Sequence, residues 1–254
     1  WWEIDATSPE QQTGGTRGLW GGGNTPTYFN NIQFVNISTT GNTADFGDLT
    51  RAGNQINAVS SRVRAIYGAH YTGSAVSNTM DFVTISSTGD AINFGDLTSL
   101  RSGNQPMQNA TRGIFAGGMD FPAQNSIDII DYITMASEGN AVDFGDFNTV
   151  RRGGTSASSP TRGIIARGSP TTNAIEYFTI STLGNGTNFG DATTADSSPI
   201  GTSSNAVRGI LWTSSYAPNT DDVIDYITIA TLGNALDFGD MNHISYNGGA
   251  CCAS

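Results

Sequence analysis

The sequence predicts an all-β fold built from one repeated unit, and three observations carry that reading. The chain writes a version of Ile130–Phe147, IDYITMASEGNAVDFGDF, five times, the others spanning Ile32–Leu49, Met80–Leu97, Ile175–Ala192 and Ile224–Met241. Each copy follows an arginine-led, apolar and glycine-rich run, such as TRGIFAGG from Thr111, after a loop of varying length. No stretch of useful length places apolar residues at i, i+3, i+4 and i+7, so no helix is expected. The phenylalanines of the Phe-Gly-Asp triplets, Phe46, Phe94, Phe144, Phe189 and Phe238, step by 48, 50, 45 and 49 residues. The leading arginines Arg17, Arg64, Arg112, Arg162 and Arg208 step by 47, 48, 50 and 46. Two independent landmarks with one period define a repeat protein.

Each unit of about 48 residues offers four short extended pieces separated by Gly, Asn, Pro and Ser. The first is a polar run, Arg101–Asn109 or Arg151–Ser159, and the second is the arginine-led piece, Thr111–Gly118. The third is Ile130–Ala136 and the fourth Ala141–Phe147, joined by a near-constant turn at Gly139-Asn140. Gly41-Asn42, Gly89-Asp90, Gly184-Asn185 and Gly233-Asn234 are its counterparts; glycine supplies a positive φ there and Asn or Asp tolerates one. The third strand carries apolar residues on both faces, so it is to be covered from both sides. A four-stranded antiparallel meander covered on each face by its own copies is a propeller blade. Five copies predict one domain over residues 1–254, a five-bladed β-propeller with blades near 6–50, 51–98, 99–148, 149–193 and 194–241. Thr7–Gly15 and His243–Ser254 both resemble the first, innermost strand, so 242–254 is either a closing strand or the start of a further unit.

Composition suits this reading. The chain has 254 residues, 37% hydrophobic content and 32 glycines, as a turn-dense all-β protein requires. No run approaches the roughly 18 apolar residues of a membrane span, and WWEIDATSPE shows no signal-peptide pattern. Eleven basic residues, all arginine, stand against 22 acidic ones, a net charge of −11. A diffuse negative surface argues against nucleic acid and anionic membrane, since both need positive charge to displace counterions. Cys251 and Cys252 are adjacent, a spacing at which cysteines rarely bridge each other.

The apolar strand ending in Gly-Gly, then an aromatic-bearing strand, at a period near 50, resembles kelch repeats. The Phe-Gly-Asp-Leu ending departs from them, standing where kelch repeats usually carry a tryptophan. With TRGIFAGG and IDYIT…GNAVDFGD as its wording, the array looks like those of tail fibres and other appendages of marine and cyanobacterial phages. That resemblance implies a virion or extracellular location and a non-enzymatic, structural or host-attachment role.

Candidate sites divide into constant and variable positions. The arginines Arg17, Arg64, Arg112, Arg162 and Arg208 recur with the aspartates Asp48, Asp96, Asp146, Asp191 and Asp240, and the five phenylalanines recur with both. They read as framework: Phe fills the core between blades, Gly makes the bend, and each Arg lies near a carboxylate. Asn140–Asp146 offers oxygens for calcium but lacks the alternating acidic pattern of a calcium loop, so no metal or cofactor is assigned. His70 and His243 sit in non-equivalent places and no nucleophile motif appears, so no catalytic residue is assigned.

The loops between second and third strands differ in length and carry Tyr28, Phe29, Tyr71, Phe121 and Tyr216; the fourth, Ser169–Asn173, has no aromatic. In an antiparallel meander they emerge on the same face as the connections between blades, which bring Arg51, Arg101, Arg151 and Arg152 there. Tyr28, Phe29, Tyr71, Phe121 and Tyr216, with Arg101 or Arg151 at the rim, are therefore the candidate ligand contacts for a surface glycan or protein. The rival reading is a spacer whose faces pack on other subunits of its assembly, which an exposed apolar blade face would favour. A glycan-degrading enzyme is the third, since acid pairs are invisible without geometry.

Overall fold

The computed structural model describes residues 17–198, 201–213 and 222–243. Among them there is no helix, and nineteen strands form five antiparallel sheets, here I to V. Sheet I holds β1 (Arg17–Asn24), β2 (Tyr28–Asn36) and β3 (Ala44–Asp48). Sheet II holds β4 (Asn57–Ser60), β5 (Arg64–Tyr71), β6 (Val76–Thr84) and β7 (Ile92–Arg101). Sheet III holds β8 (Gln105–Gln108), β9 (Arg112–Ala116), β10 (Ile129–Thr134) and β11 (Val142–Asp146). Sheet IV holds β12 (Thr155–Ser158), β13 (Arg162–Ala166), β14 (Thr172–Thr179) and β15 (Thr187–Asp196). Sheet V holds β16 (Gly201–Ser204), β17 (Arg208–Trp212), β18 (Val223–Thr228) and β19 (Leu236–Asp240).

Within each sheet the strands pair in chain order, as in an antiparallel meander. β7 and β15 run on past the Phe-Gly-Asp triplet to Arg101 and Asp196, so Arg101 ends a fourth strand rather than opening a first. Tyr216, Cys251 and Cys252 and the candidate strand Thr7–Gly15 lie outside the described residues, as does His243–Ser254 beyond its first residue.

One irregularity recurs in all five sheets and explains the Phe-Gly-Asp wording. In sheet III Ile130 pairs with Gly145 and Asp131 with Asp143, which leaves Phe144 as an extra, bulged residue. Phe46, Phe94, Phe189 and Phe238 are bulged in the same way. The following glycine takes φ between 140° and 149°, a region that side chains rarely enter. A bulged residue has no ladder partner, so its carbonyl is free to bond elsewhere.

It bonds to the next sheet. The Phe94 carbonyl accepts from the Gly139 amide at 2.8 Å, and the Asp96 carbonyl accepts from Ala141 at 2.8 Å. The Asp96 amide donates to Asn140 Oδ1 at 3.0 Å. The same three bonds join Phe46–Asp48 to Gly89–Ala91, Phe144–Asp146 to Gly184–Gly186, and Phe189–Asp191 to Gly233–Ala235. Close approach is required: a Cβ on Gly95 would stand 2.3 Å from the Gly139 carbonyl oxygen. Gly-Asn turn and Phe-Gly-Asp strand are thus two halves of one joint.

Around each joint the apolar residues of facing sheets merge into shared clusters, such as Phe82, Phe94 and Leu97 with Phe115, Ile133 and Met135. Phe46, Phe94, Phe144 and Phe189 are buried, as expected of framework phenylalanines. Phe238 departs from that expectation, because no described sheet follows sheet V to cover it.

Candidate recognition site

The framework arginines do not do what their spacing suggested. Arg112 lies with its guanidinium carbon 4.7 Å from the Tyr132 ring centre and donates to the Ile180 carbonyl of the next sheet at 2.7 Å. Arg17 does the same with Phe34 and Ile85, and Arg162 with Tyr177 and Ile229. Arg64 stacks on Phe82, donates to Met135 and Ala136, and is the one of the five that meets a carboxylate among the described residues, the half-exposed Glu138 at 3.5 Å. Arg208 stacks on Tyr226. An aromatic face and a free carbonyl satisfy a planar cation without a counter-charge, so the expected carboxylate partners are replaced by backbone. Asp48, Asp96, Asp146 and Asp191 serve the joint through their main-chain atoms, and Asp240 offers the same atoms without a partner sheet. Among the described residues no hydrogen bond or ion pair uses their carboxylates.

The carboxylates that do pair sit one strand earlier. Asp81, Asp131, Glu176 and Asp225, on the third strand of sheets II to V, are buried. Each accepts from a threonine just after the preceding sheet's Phe-Gly-Asp triplet: Thr98 donates amide and hydroxyl to Asp131 at 3.0 and 2.6 Å, and Thr50, Thr149 and Thr193 are its counterparts. Arg101 completes the Asp131 site at 2.8 Å, Arg151 the Glu176 site and Arg167 the Asp225 site. Burial pulls the Arg101 and Arg151 guanidinium groups below the ordinary arginine range, and the adjoining carboxylate pulls each back up. Arg101 and Arg151 are therefore not rim residues open to a ligand; both are fully buried because an acid in the dry interior must be paired. The constant acidic residue of IDYIT was the signal for this site; sheet I, with no described sheet before it, carries Gln33 there.

The variable loops fare differently. Tyr28 at the start of β2, Tyr71 at the end of β5 and Phe121 between β9 and β10 come from three sheets and meet in a row, the first pair edge to face and the second tilted. Tyr28 and Tyr71 lie 6.2 Å apart between ring centres at 86°, and Tyr71 and Phe121 6.2 Å apart at 51°. All three are half-buried. Phe29 instead turns away onto Trp20, 5.8 Å between centres, and does not join the ladder.

The ladder is held from below. Asn54 and Tyr71 exchange both backbone bonds at 2.9 Å, and the Tyr71 hydroxyl donates to the Gly73 carbonyl at 2.7 Å. Gly73, at φ 94°, lies so close to Tyr28 that a Cβ would fall 2.4 Å from its ring. The Phe121 loop closes on Asp120 and Asn125, whose backbone amide donates to the Asp120 carboxylate at 2.6 Å, and Arg152 donates to Gln124 at 2.9 Å. Arg51, exposed, and Arg152, half-buried, are the arginines that the connections between sheets leave at this surface.

At the opposite ends of the strands lies a cavity of about 860 Å³, lined by the turns between first and second strands of sheets II to V, including Ser60, Gln108, Ser158 and Ser204. Ser, Asn and Gln side chains share its wall with Val63, Met135 and Pro160, and Arg62 and Arg64 are the cations there.

No protein-family model and no curated protein matches the chain. Among the described residues no helix is long and apolar enough to cross a membrane.

Proposed function

We propose that the five sheets are blades of a kelch-like β-propeller, and that the chain is a non-catalytic recognition module of a viral or extracellular appendage. Its ligand, a surface glycan or protein, lies on the face of the Tyr28–Tyr71–Phe121 ladder. The propeller reading is supported by four successive sheet-to-sheet joints of one geometry and by four turns gathered around one cavity. The single observation that carries the binding role is the convergence of three aromatics from three variable loops on one surface. Such a ladder presents flat apolar faces to a sugar ring or an interface side chain, and Arg152, which already donates to Gln124 in the Phe121 loop, adds a cation beside it. A non-enzymatic role agrees with how the buried ionisable groups are used, since Arg101–Asp131, Arg151–Glu176 and Arg167–Asp225 are consumed as structural pairs. The virion placement rests on the wording of the repeat alone. The spacer reading has one observation in its favour, the uncovered apolar faces of sheets I and V.

A glycan array and a cell-surface binding assay on the wild type and on Tyr71→Ala with Phe121→Ala test the proposal. Each aromatic removed is expected to weaken binding by about 1–3 kcal/mol. Unchanged binding by the double variant moves the site elsewhere, and binding to no surface by the wild type leaves the spacer reading standing.

A further inference from the structure

The two ends of the sheet stack expose faces that are covered everywhere else. Phe238 is 55% exposed, whereas Phe46, Phe94, Phe144 and Phe189 are 2–3% exposed. A Cβ on Gly239 would meet nothing within 4 Å, although its equivalents abut the next sheet's turn. At the other end, Ile37 is 72% exposed against 8% or less for Ile85, Met135, Ile180 and Ile229. Trp20 and Val35 are likewise exposed where Tyr67, Phe115, Val83 and Ile133 are buried.

These faces are not merely apolar; they are unmatched halves of the joint. Sheet V offers the Phe238 carbonyl, the Asp240 amide and the Asp240 carbonyl, with Arg208 stacked on Tyr226 as its equivalents are before they reach the next sheet. Sheet I offers the Gly41 amide, the Asn42 side chain and the Thr43 amide, and the Ile37 carbonyl in the place of Ile85, Ile180 and Ile229. Among the described residues no hydrogen bond joins sheet I to sheet V, whereas each sheet is joined to the next from I to V.

We propose that both faces are covered by one further four-stranded unit of this same repeat. Its Gly-Asn turn caps Phe238–Asp240 while its own Phe-Gly-Asp strand holds Gly41–Thr43. The argument is continuity with an interface the molecule builds four times, three hydrogen bonds and one buried phenylalanine each time. The inference rests on the propeller reading and completes its ring.

Two chains test it by hydrogen exchange and thermal unfolding: the 254-residue chain, and the same chain with a second copy of residues 99–148 after Ser254. In the first, the amides of Gly41, Thr43 and Asp240 are expected to exchange fast, with Phe238→Ala leaving Tm almost unchanged. In the second, those amides slow by about a hundredfold or more, as edge positions become core, and Phe238→Ala lowers Tm as Phe144→Ala does. Slow exchange in the monomeric 254-residue chain means that sheet V closes directly on sheet I and overturns the proposal. Concentration-dependent association lost in Phe238→Ser assigns the faces to a second copy and overturns it too, as does a further unit that changes nothing. Phe94→Ala is the control for the underlying reading: if it costs nothing in either chain, the joint itself is wrong and the propeller with it.

Discussion

The carbonyl of Phe94 accepts a hydrogen bond from the amide of Gly139, 45 residues on and one sheet away, at 2.8 Å. That contact explains why two short and distant pieces of sequence recur with one period. The bulge frees the acceptor, the glycine after it lets the turn approach, and the Gly-Asn turn supplies the donor and an acceptor in return.

The first prediction isolates that close approach. Gly95 and Gly239 hold nearly the same strained φ, 146° and 140°, so alanine at either costs about 1–3 kcal/mol in backbone strain. Only Gly95→Ala also drives a Cβ into the Gly139 carbonyl at 2.3 Å. Its total is expected beyond about 4 kcal/mol, in the range that marks a specific structural fault. Denaturant unfolding of the two variants checks this, and equal losses would remove the joint as the reason for the glycine.

The second prediction concerns the bulged phenylalanine. Phe144 is packed among Ile114, Ile130 and Phe178, so Phe144→Ala is expected to cost about 3–5 kcal/mol. Phe121→Ala, in the ladder, removes a half-buried ring and is expected to cost far less. Comparable losses would mean that framework and recognition loop have been confused.

Much of this was legible in the sequence because it repeats. A residue type that recurs at one position of every unit meets the same neighbour wherever two units join, which is why Phe144 and Gly139 could be placed from spacing alone. The partner of a charged residue was not legible in the same way. Arg112 found an aromatic ring and a carbonyl of the next sheet, neither of which spacing singles out over an aspartate. Spacing puts Arg101 at the rim because it opens the polar run Arg101–Asn109 after a connection between units, yet the preceding strand carries on and turns it inward to Asp131. Burial of a charge depends on where its counter-charge lies in three dimensions. The loop aromatics were legible as exceptions to the repeat, but that Tyr71 would bridge Tyr28 and Phe121 while Phe29 turned to Trp20 depends on loop geometry.

The third prediction follows from that inward turn. Arg101→Met leaves Asp131 charged and buried beside Thr98 alone, and is expected to cost about 3–5 kcal/mol. Arg101→Met with Asp131→Leu removes both charges and is expected to recover much of that loss. A double-mutant cycle by urea unfolding measures the coupling, and additive losses would show that the pair is not the reason for the burial.

The last prediction is a pH dependence centred on His70. The side chain is buried at the end of β5 against Gly53, and its Nε2 meets no hydrogen-bond partner. Burial lowers its pKa from 6.5, with Asp81 pulling it up and Arg51 pushing it further down. Above the unfolded value His70 is neutral in both states and adds no pH dependence. As pH falls through 6.5 the unfolded chain takes up a proton that the folded chain resists, so unfolding becomes easier until the lower folded pKa is passed. Stability is therefore expected to fall as the pH drops through 6.5, before most carboxylates begin to titrate. His70→Gln keeps the volume and a polar tip but cannot take up the proton, so its Tm should change less over that drop. Parallel thermal melts across the same drop decide the matter. A variant whose profile matches the wild type would place the acid sensitivity elsewhere, and a wild type that grows more stable on acidification would mean that Asp81 outweighs burial and holds His70 as a cation.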